Sequence, residues 1–402
     1  MRYAKITRNN IKSTRNDINT IILNFGPQHP AAHGILKICL SISGEIITRA
    51  DLQFGLLHRG SEKLCETRSV NQIVPYFDRM DYVANLIQEH AAVSAIESLT
   101  ARTVSATVGL YRVFFDELSR ILNHLLTMSA ICLDMGSMGP IFWAFEEREL
   151  IMELFERVSG ARMHTAMYRP FTVSTDYLYS SITRDAIFLI RRSSRVISGA
   201  FLGLINNRAF RSRCSGVGIF SLAKLENYGI TGVIGRASGL VIDSRLGLGC
   251  KAYSIYPTIS LNTFVGKNGD CYDRFIVRSR ELFESFNIII QLLSKLSIKL
   301  NTNKPTARSK FCSMEGVITH FKLQAGFIES VGGVGLSVVE SPKGLLSVMC
   351  VSNFSVSPYR IQLKSPVAAN LHLLATAANG YTFADFVSTF CSLDVVLGEI
   401  DR

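Results

Sequence analysis

Val113-Phe114-Phe115-Asp116-Glu117-Leu118-Ser119-Arg120-Ile121-Leu122-Asn123-His124-Leu125-Leu126-Thr127-Met128-Ser129-Ala130-Ile131 repeats its apolar residues at intervals of three and four, the period of one helical face. The same period runs through Asp81 to Leu99 and through Phe145 to Val158, where Gly160 supplies a stop. Three such stretches in succession predict a helical core. Outward from it the pattern changes. Residues 21–57 read as short strands and turns, with Ile35 to Ile42 and Glu45 to Arg49 flanking Ser43-Gly44 like the arms of a hairpin. Beyond residue 170 a helix is expected over Arg184 to Ile205, glycine-rich turns from Gly216 to Gly249, and a long amphipathic helix from Tyr272 to about Leu300. Met314 to Leu363 reads as strands and turns around Gly332-Gly333 and Pro342-Lys343-Gly344, before a short helical C-terminus. The fold class is therefore α+β, a central bundle of long helices between β-rich N-terminal and C-terminal segments. Residues 1–20 read as a basic arm and 21–402 as one domain, in which 21–74 is β-rich, 75–310 mainly helical and 311–402 β-rich.

The 402 residues exceed the size at which one compact core stops growing, so one large domain or two intimately joined ones are expected. Apolar residues make up 48% and charged residues 19%, a globular composition, and the mean hydropathy of +0.23 predicts a surface covered by partners. Asp134 with the Gly136 to Pro140 segment, and Arg191, Arg192 and Arg195, interrupt the longest apolar stretches, so no unaided membrane crossing is expected. A net charge of +11 suits nucleic acid or an anionic surface, but the basic residues are scattered and form no stripe with interleaved aromatics. No nucleic-acid partner is expected. Nine cysteines, with no Cys-x-x-Cys pair among them, argue against a disulfide framework and against a metal site built by this chain alone. They read as reduced core thiols. The arm holds Arg2, Lys5, Arg8, Lys12 and Arg15 against Asp17, a mitochondrial-presequence composition; with Met1 in place it reads as a retained basic arm.

Gly26-Pro27-Gln28-His29-Pro30-Ala31-Ala32-His33-Gly34 offers two histidines four residues apart. On a helix they would share a face and could hold a metal, but the prolines and Gly34 forbid a helix here. A loop imidazole, with an ordinary pKa of ~6.5 that a nearby carboxylate readily moves, is instead a proton donor. Judged singly, Tyr82 is an amphipathic core aromatic. Asp134 follows the apolar run Ala130 to Leu133, where a buried carboxylate would require a specific partner.

Blocks along the chain add a resemblance. The loop above, Gly55-Leu56-Leu57-His58-Arg59-Gly60-Ser61-Glu62-Lys63, Pro75-Tyr76-Phe77-Asp78-Arg79-Met80-Asp81-Tyr82, Phe142-Trp143-Ala144-Phe145-Glu146-Glu147-Arg148-Glu149 and Gly160-Ala161-Arg162-Met163-His164 occur in that order. Gly269 to Arg274, Ser313-Met314-Glu315, His320-Phe321-Lys322 and Gly398-Glu399-Ile400-Asp401-Arg402 continue the series. Together they resemble the quinone-site subunits of complex I, the proton-pumping NADH:ubiquinone oxidoreductase, over nearly the whole chain beyond residue 21.

The resemblance implies the fold of nickel-iron hydrogenase large subunits with the metal site converted to a quinone pocket. Such a hydrogenase needs two Cys-x-x-Cys pairs, near residues 58 to 64 and 394 to 399; here Cys65 and Cys391 stand alone, so no metal is expected on this chain. It implies a ubiquinone headgroup between His33 and Tyr82, with Asp134 hydrogen-bonded to His33. Phenol and imidazolium can each give a proton to the oxygens of a ring that gains two electrons. It further implies that Arg59 and His164 face a terminal 4Fe-4S cluster held by a neighbouring subunit, where a cation raises the reduction potential. NADH and FMN would bind elsewhere in the complex. The partners implied are the cluster-bearing subunit and the membrane subunit at the quinone entry. The location implied is the matrix side of the mitochondrial inner membrane, with this chain peripheral and active only within the complex.

Two segments depart from the family pattern. Phe171-Thr172 follow Arg169-Pro170 where a glycine pair is usual, and Arg245 and Lys251 fall in the 243–256 stretch, which is usually acidic. A nickel-iron hydrogenase-like metalloenzyme and a non-catalytic basic assembly protein are the competing readings.

Overall fold

A computed structural model describes residues 20–27, 35–100, 103–173, 179–247, 253–300, 313–318 and 332–402. Strands β1 (Thr20–Phe25), β2 (Lys37–Ser43) and β3 (Ile46–Gln53) form an antiparallel sheet in that order. Gly44, at φ 65°, turns the β2–β3 hairpin in a left-handed geometry that costs glycine nothing. Short helices α1 (Ser61–Cys65) and α2 (Val70–Asp78) lead to α3 (Asn85–Ser98), α4 (Ala106–Asp134) and α5 (Gly139–Ser159). Helix α3 starts four residues later than its period suggests. Asp81 Oδ1 accepts from the Val83 and Ala84 N–H groups at 3.2 and 3.4 Å, closing a side-chain turn that leaves Asp81 and Tyr82 in the connection.

After α5, which ends at Gly160 with φ 83°, a small hairpin pairs β4 (Tyr168–Arg169) with β5 (Thr172–Val173). Its loop is Pro170-Phe171, and Phe171 takes φ 64°, at a cost of roughly 1–2 kcal/mol for a residue with a side chain. The hairpin is held from below: Phe171 N–H donates to Glu97 at 2.6 Å, Glu97 pairs with Arg112, and Arg112 donates to the Arg169 carbonyl. A buried ion pair thus fixes the turn where the family pattern implies glycine.

Helices α6 (Tyr179–Ile205), α7 (Arg208–Cys214), α8 (Leu222–Tyr228) and α9 (Gly232–Ala237) follow, so the region expected to be glycine-rich turns from Gly216 to Gly249 includes two short helices. Glycines at their ends hid them. Helix α10 (Cys271–Leu300) matches the long amphipathic period. Strands β6 (Gly333–Ser341), β7 (Gly344–Ser352) and β8 (Arg360–Lys364) form a second antiparallel sheet. Three helices close the chain: α11 (Pro366–Ala377), α12 (Phe383–Ser392) and α13 (Leu397–Asp401). Among the described residues of 311–402, residues 314–318 are helical, the sheet follows them, and helices close the segment.

Helix α4 packs against α3, α5, α10 and α12 and is buried on every side from Leu110 to Leu125. Its charged residues are consequently paired inside the core, as buried charges must be. Glu117 accepts from Tyr256 at 2.5 Å and Ser285 at 2.7 Å and lies 3.3 Å from Arg245. Arg245 also pairs with Asp243 at 2.8 Å, which explains how a cation is tolerated in the usually acidic stretch. Arg236 joins Glu281 and Glu340 at 2.7 and 2.9 Å. A second core unites the β1–β3 sheet with α11, α12 and α13; Ile47 N–H donates to the Tyr381 carbonyl and Gly380 N–H to that of Ile47, both at 2.9 Å.

Strand β6 lies on α3 through Gly335, where an added Cβ would collide with the Ala95 carbonyl oxygen and come 2.6 Å from Ser98 Oγ. Gly335→Ala is expected to cost about 1–3 kcal/mol by pushing the sheet off the helix. Denaturant unfolding of the purified chain checks this, and an unchanged midpoint would contradict it.

Candidate functional site

A cavity of about 280 Å³ opens where the C-terminal end of α4 meets the α2–α3 connection and the end of α12. Leu126, Thr127, Ala130, Leu133 and Asp134 line it from one face of α4, at the three-and-four spacing of a helix. Tyr82 and Val83 enter from the connection, Phe390 and Cys391 from α12, and Asp394, Val395 and Val396 from the loop after it. The walls are mostly apolar with a few polar groups at fixed points, the character of a site for a small amphipathic ring.

Tyr82 is half-buried. Burial pushes its phenol above the ordinary range; Lys343 opposes this, while Asp81 and Asp394 add to it. The phenol therefore keeps its proton at neutral pH. Asp134 is the last residue of α4 and is exposed, a correction to its expected burial. The apolar run before it turns toward the cavity, and the helix ends at the carboxylate. Its partner among the described residues is the Cys391 thiol, which burial first and Asp134 second push well above the usual thiol value. The thiol stays protonated and donates to the carboxylate. Tyr82 and Asp134 thus share one hollow. His33, together with His29, lies outside the described residues, and so does the expected His33–Asp134 pair.

Arg59 and His164 belong to a second cluster. Arg59 is exposed, with its N–H donating to the Arg402 carbonyl at 3.0 Å. His164 is half-buried, and its Nδ1 has no hydrogen-bond partner among the described residues. Burial holds its pKa below the usual value, and the cations Arg79 and Arg59 reinforce this against the backbone of Asp78. A neutral imidazole flanked by two guanidinium groups makes this surface electropositive. An anionic group docked there would be stabilised.

Sequence reasoning missed the charged groups behind Tyr82. Lys343, at the tip of the β6–β7 hairpin, was legible only as a turn residue. Its side chain is fully buried, 2.6 Å from Asp81 Oδ2 and 2.8 Å from Asn123 Oδ1. Asn123 donates to Asp394 at 2.7 Å. Lys343 and Arg278, against the cost of burial, hold the Asp394 carboxyl below its usual value, so it stays ionised beside the cavity. The hairpin tip could have been suspected only from a lysine flanked by an otherwise apolar pair of strands.

Two of the quoted sequence blocks meet in space. Gly55 and Leu57 N–H groups each donate to the Asp401 carboxylate at 2.9 Å, His58 Nδ1 lies 2.5 Å from the Asp401 carbonyl oxygen, and Arg402 pairs with Glu62 at 2.7 Å. Cys65 is buried in the main core, apart from Cys391 at the cavity. Among the described residues, no group of three or more His, Cys, Asp and Glu side chains could hold a metal ion, and no helix is long and apolar enough to cross a membrane.

Comparison with known proteins gives a consistent answer. The family model described as "Respiratory-chain NADH dehydrogenase, 49 Kd subunit" matches residues 134–402. The chain is 41% identical over 401 residues to the NADH-ubiquinone oxidoreductase 49 kDa subunit of Paramecium tetraurelia, covering 96% of this chain and 100% of that protein. It is 41% identical over 392 residues to an NADH-quinone oxidoreductase subunit of Wolbachia pipientis wMel, with coverage of 96% and 100%. The 49 kDa subunit of Acanthamoeba castellanii is likewise 41% identical over 394 residues, with 96% of each chain covered.

Proposed function

Because the chain belongs to the 49 kDa subunit family of respiratory-chain NADH dehydrogenase, and so is a core subunit of an NADH:quinone oxidoreductase, we propose that its α4–α12 cavity binds the ubiquinone headgroup. The observation that carries this is the meeting of Tyr82 and Asp134 in one mostly apolar hollow of about 280 Å³. The quinone enters as substrate. Tyr82 donates a proton to one ring oxygen as negative charge develops there, and His33, oriented by Asp134, donates to the other. Val395, Val396 and Phe390 exclude water, so these charges act in a low dielectric.

Arg59 and His164 face the 4Fe-4S cluster of a neighbouring subunit, which supplies the electrons. NADH and FMN act elsewhere in the complex. The exposed apolar residues Met138, Phe142 and Trp143 at the start of α5, 66%, 72% and 51% accessible, support cover by other subunits. These are the cluster-bearing subunit and the membrane subunit at the quinone entry. The chain is peripheral, on the matrix side of the mitochondrial inner membrane, and works only within the assembled proton pump. Kinship with the nickel-iron hydrogenase large subunit belongs to the same reading. The hydrogen bonds from Arg59 and Ser61 N–H to the Arg402 carbonyl at 3.0 and 3.4 Å support it, since they draw together the stretches near 58–64 and 394–399 in which hydrogenase cysteine pairs would stand.

A photoreactive quinone analogue bound to the NADH-reduced complex tests the site. Adducts should map to the 126–134 and 390–396 segments; labelling confined to other regions of the chain would overturn the assignment. Asp134→Asn removes the charge that favours protonated His33. The limb of the pH–rate profile that requires the imidazolium should then move to lower pH by about 1 unit. An unshifted profile would dismiss the pairing.

A further inference from the structure

Glu399, near the start of α13, has 0% accessible surface. Neither of its carboxyl oxygens completes a hydrogen bond of normal geometry, although Ser365 at the start of α11 and Gln88 on α3 stand within reach. Gly398 packs on the α2–α3 connection so closely that an added Cβ would come 2.6 Å from the Met80 carbonyl oxygen, which sets Glu399 beside Asp81 and its partner Lys343. A charged carboxylate so poorly solvated would be costly, and its neighbour Asp81 already occupies the Lys343 ammonium at 2.6 Å. Burial first, and Asp81 second, push the Glu399 carboxyl up to about 8, so it holds a proton at neutral pH. Asp394, on the same lysine, is held in the opposite direction. Carboxyls pushed apart in this way divide into a proton carrier and a fixed charge.

The geometry points to Glu399 as the buried proton store that refills Tyr82 through the Asp81–Lys343 pair. This rests on Tyr82 as the donor to the quinone. When Tyr82 has given its proton to the reduced ring, a phenolate remains next to Asp81 in the chain and within the field of Lys343. One Lys343 N–H bond breaks as the Tyr82 O–H bond re-forms, and the amine left behind takes the Glu399 proton, so that the Glu399 O–H bond breaks and the ammonium is restored. Glu399 is left as a carboxylate, which takes its next proton from water. No electron moves in this step. Glu399 does not touch the quinone and is a positioning residue for the proton.

The test uses the assembled, membrane-bound complex with ubiquinone-1 as substrate. In the unmodified complex, turnover should fall as pH rises through about 8, because the store empties. Glu399→Gln keeps the shape and neutrality but has no acidic proton; turnover should drop at least tenfold at pH 7 and lose that alkaline limb. Glu399→Asp should recover part of the rate with the limb displaced. Where Glu399→Gln reduces assembly, infrared difference spectra of the unmodified and Glu399→Asp complexes decide. A carboxylic-acid carbonyl band lost on alkaline titration should shift in frequency in the Asp variant, and an unshifted band would overturn the assignment. Wild-type rate and limb in Glu399→Gln, with Tyr82→Phe still slow, would overturn the store alone. Normal turnover in Tyr82→Phe would overturn the donor assignment beneath it.

Discussion

Tyr82→Phe is expected to leave the complex assembled and its iron-sulfur centres reducible by NADH, while quinone reductase turnover falls about 100-fold, the usual scale for losing a general acid. Tyr82 contributes to the cavity wall. Phenylalanine keeps the wall and removes only the proton. Because burial holds the phenol above its ordinary value, Tyr82 gives up its proton only to a strongly basic acceptor, which a reduced quinone oxygen becomes and an oxidised one is not. The loss should therefore appear in kcat more than in KM. Steady-state kinetics alongside spectroscopic reduction of the clusters separates this from an assembly defect. Turnover at the wild-type rate would remove Tyr82 from the chemistry.

Lys343→Met is expected to be the most damaging single change to the chain itself. The ammonium is fully buried against Asp81 and Asn123 and also compensates Asp394. Methionine fills the space but leaves Asp81 in the core without its cation and leaves Asp394 only Arg278, at a cost of about 3–5 kcal/mol. That is a large part of the margin by which a domain is folded. The level of assembled complex on native gels should collapse, and the unfolding midpoint of any purified chain should fall. Adding Asp81→Asn to Lys343→Met should restore part of the loss, since removing both charges costs less than removing one. An unaltered midpoint in the single variant would show that water already screens the site.

The long helices were legible because α4, α5 and α10 each carry a clean three-and-four period, and the β2–β3 hairpin because Ser43-Gly44 marks its turn. The start of α3 was not: a helical period runs on through Asp81 and Tyr82, and only the side-chain turn of Asp81 reveals that they belong to a connection. Helices α8 and α9 were concealed by the glycines that end them. At the site, Tyr82 was readable through its sequence block and Asp134 through the family resemblance and the apolar run before it, but the exposure of Asp134 was not, since hydropathy reports the residues before it and not where the helix stops. Lys343 and Glu399 stayed silent for a related reason. A buried charge is recognisable only through its partners, and these come from segments far apart in the sequence.

The union of the first sheet with the last helices in one core has a consequence for biogenesis. Phe25, Leu40 and Ile47 are earliest to leave the ribosome, yet the apolar residues that shelter them, Leu374, Phe386 and Phe390, are among the last. For most of translation the nascent sheet lacks its cover and exposes a sticky face, a hazard for slowly folding chains. That core can close only when residues 367–397 have been made and reach back to the sheet.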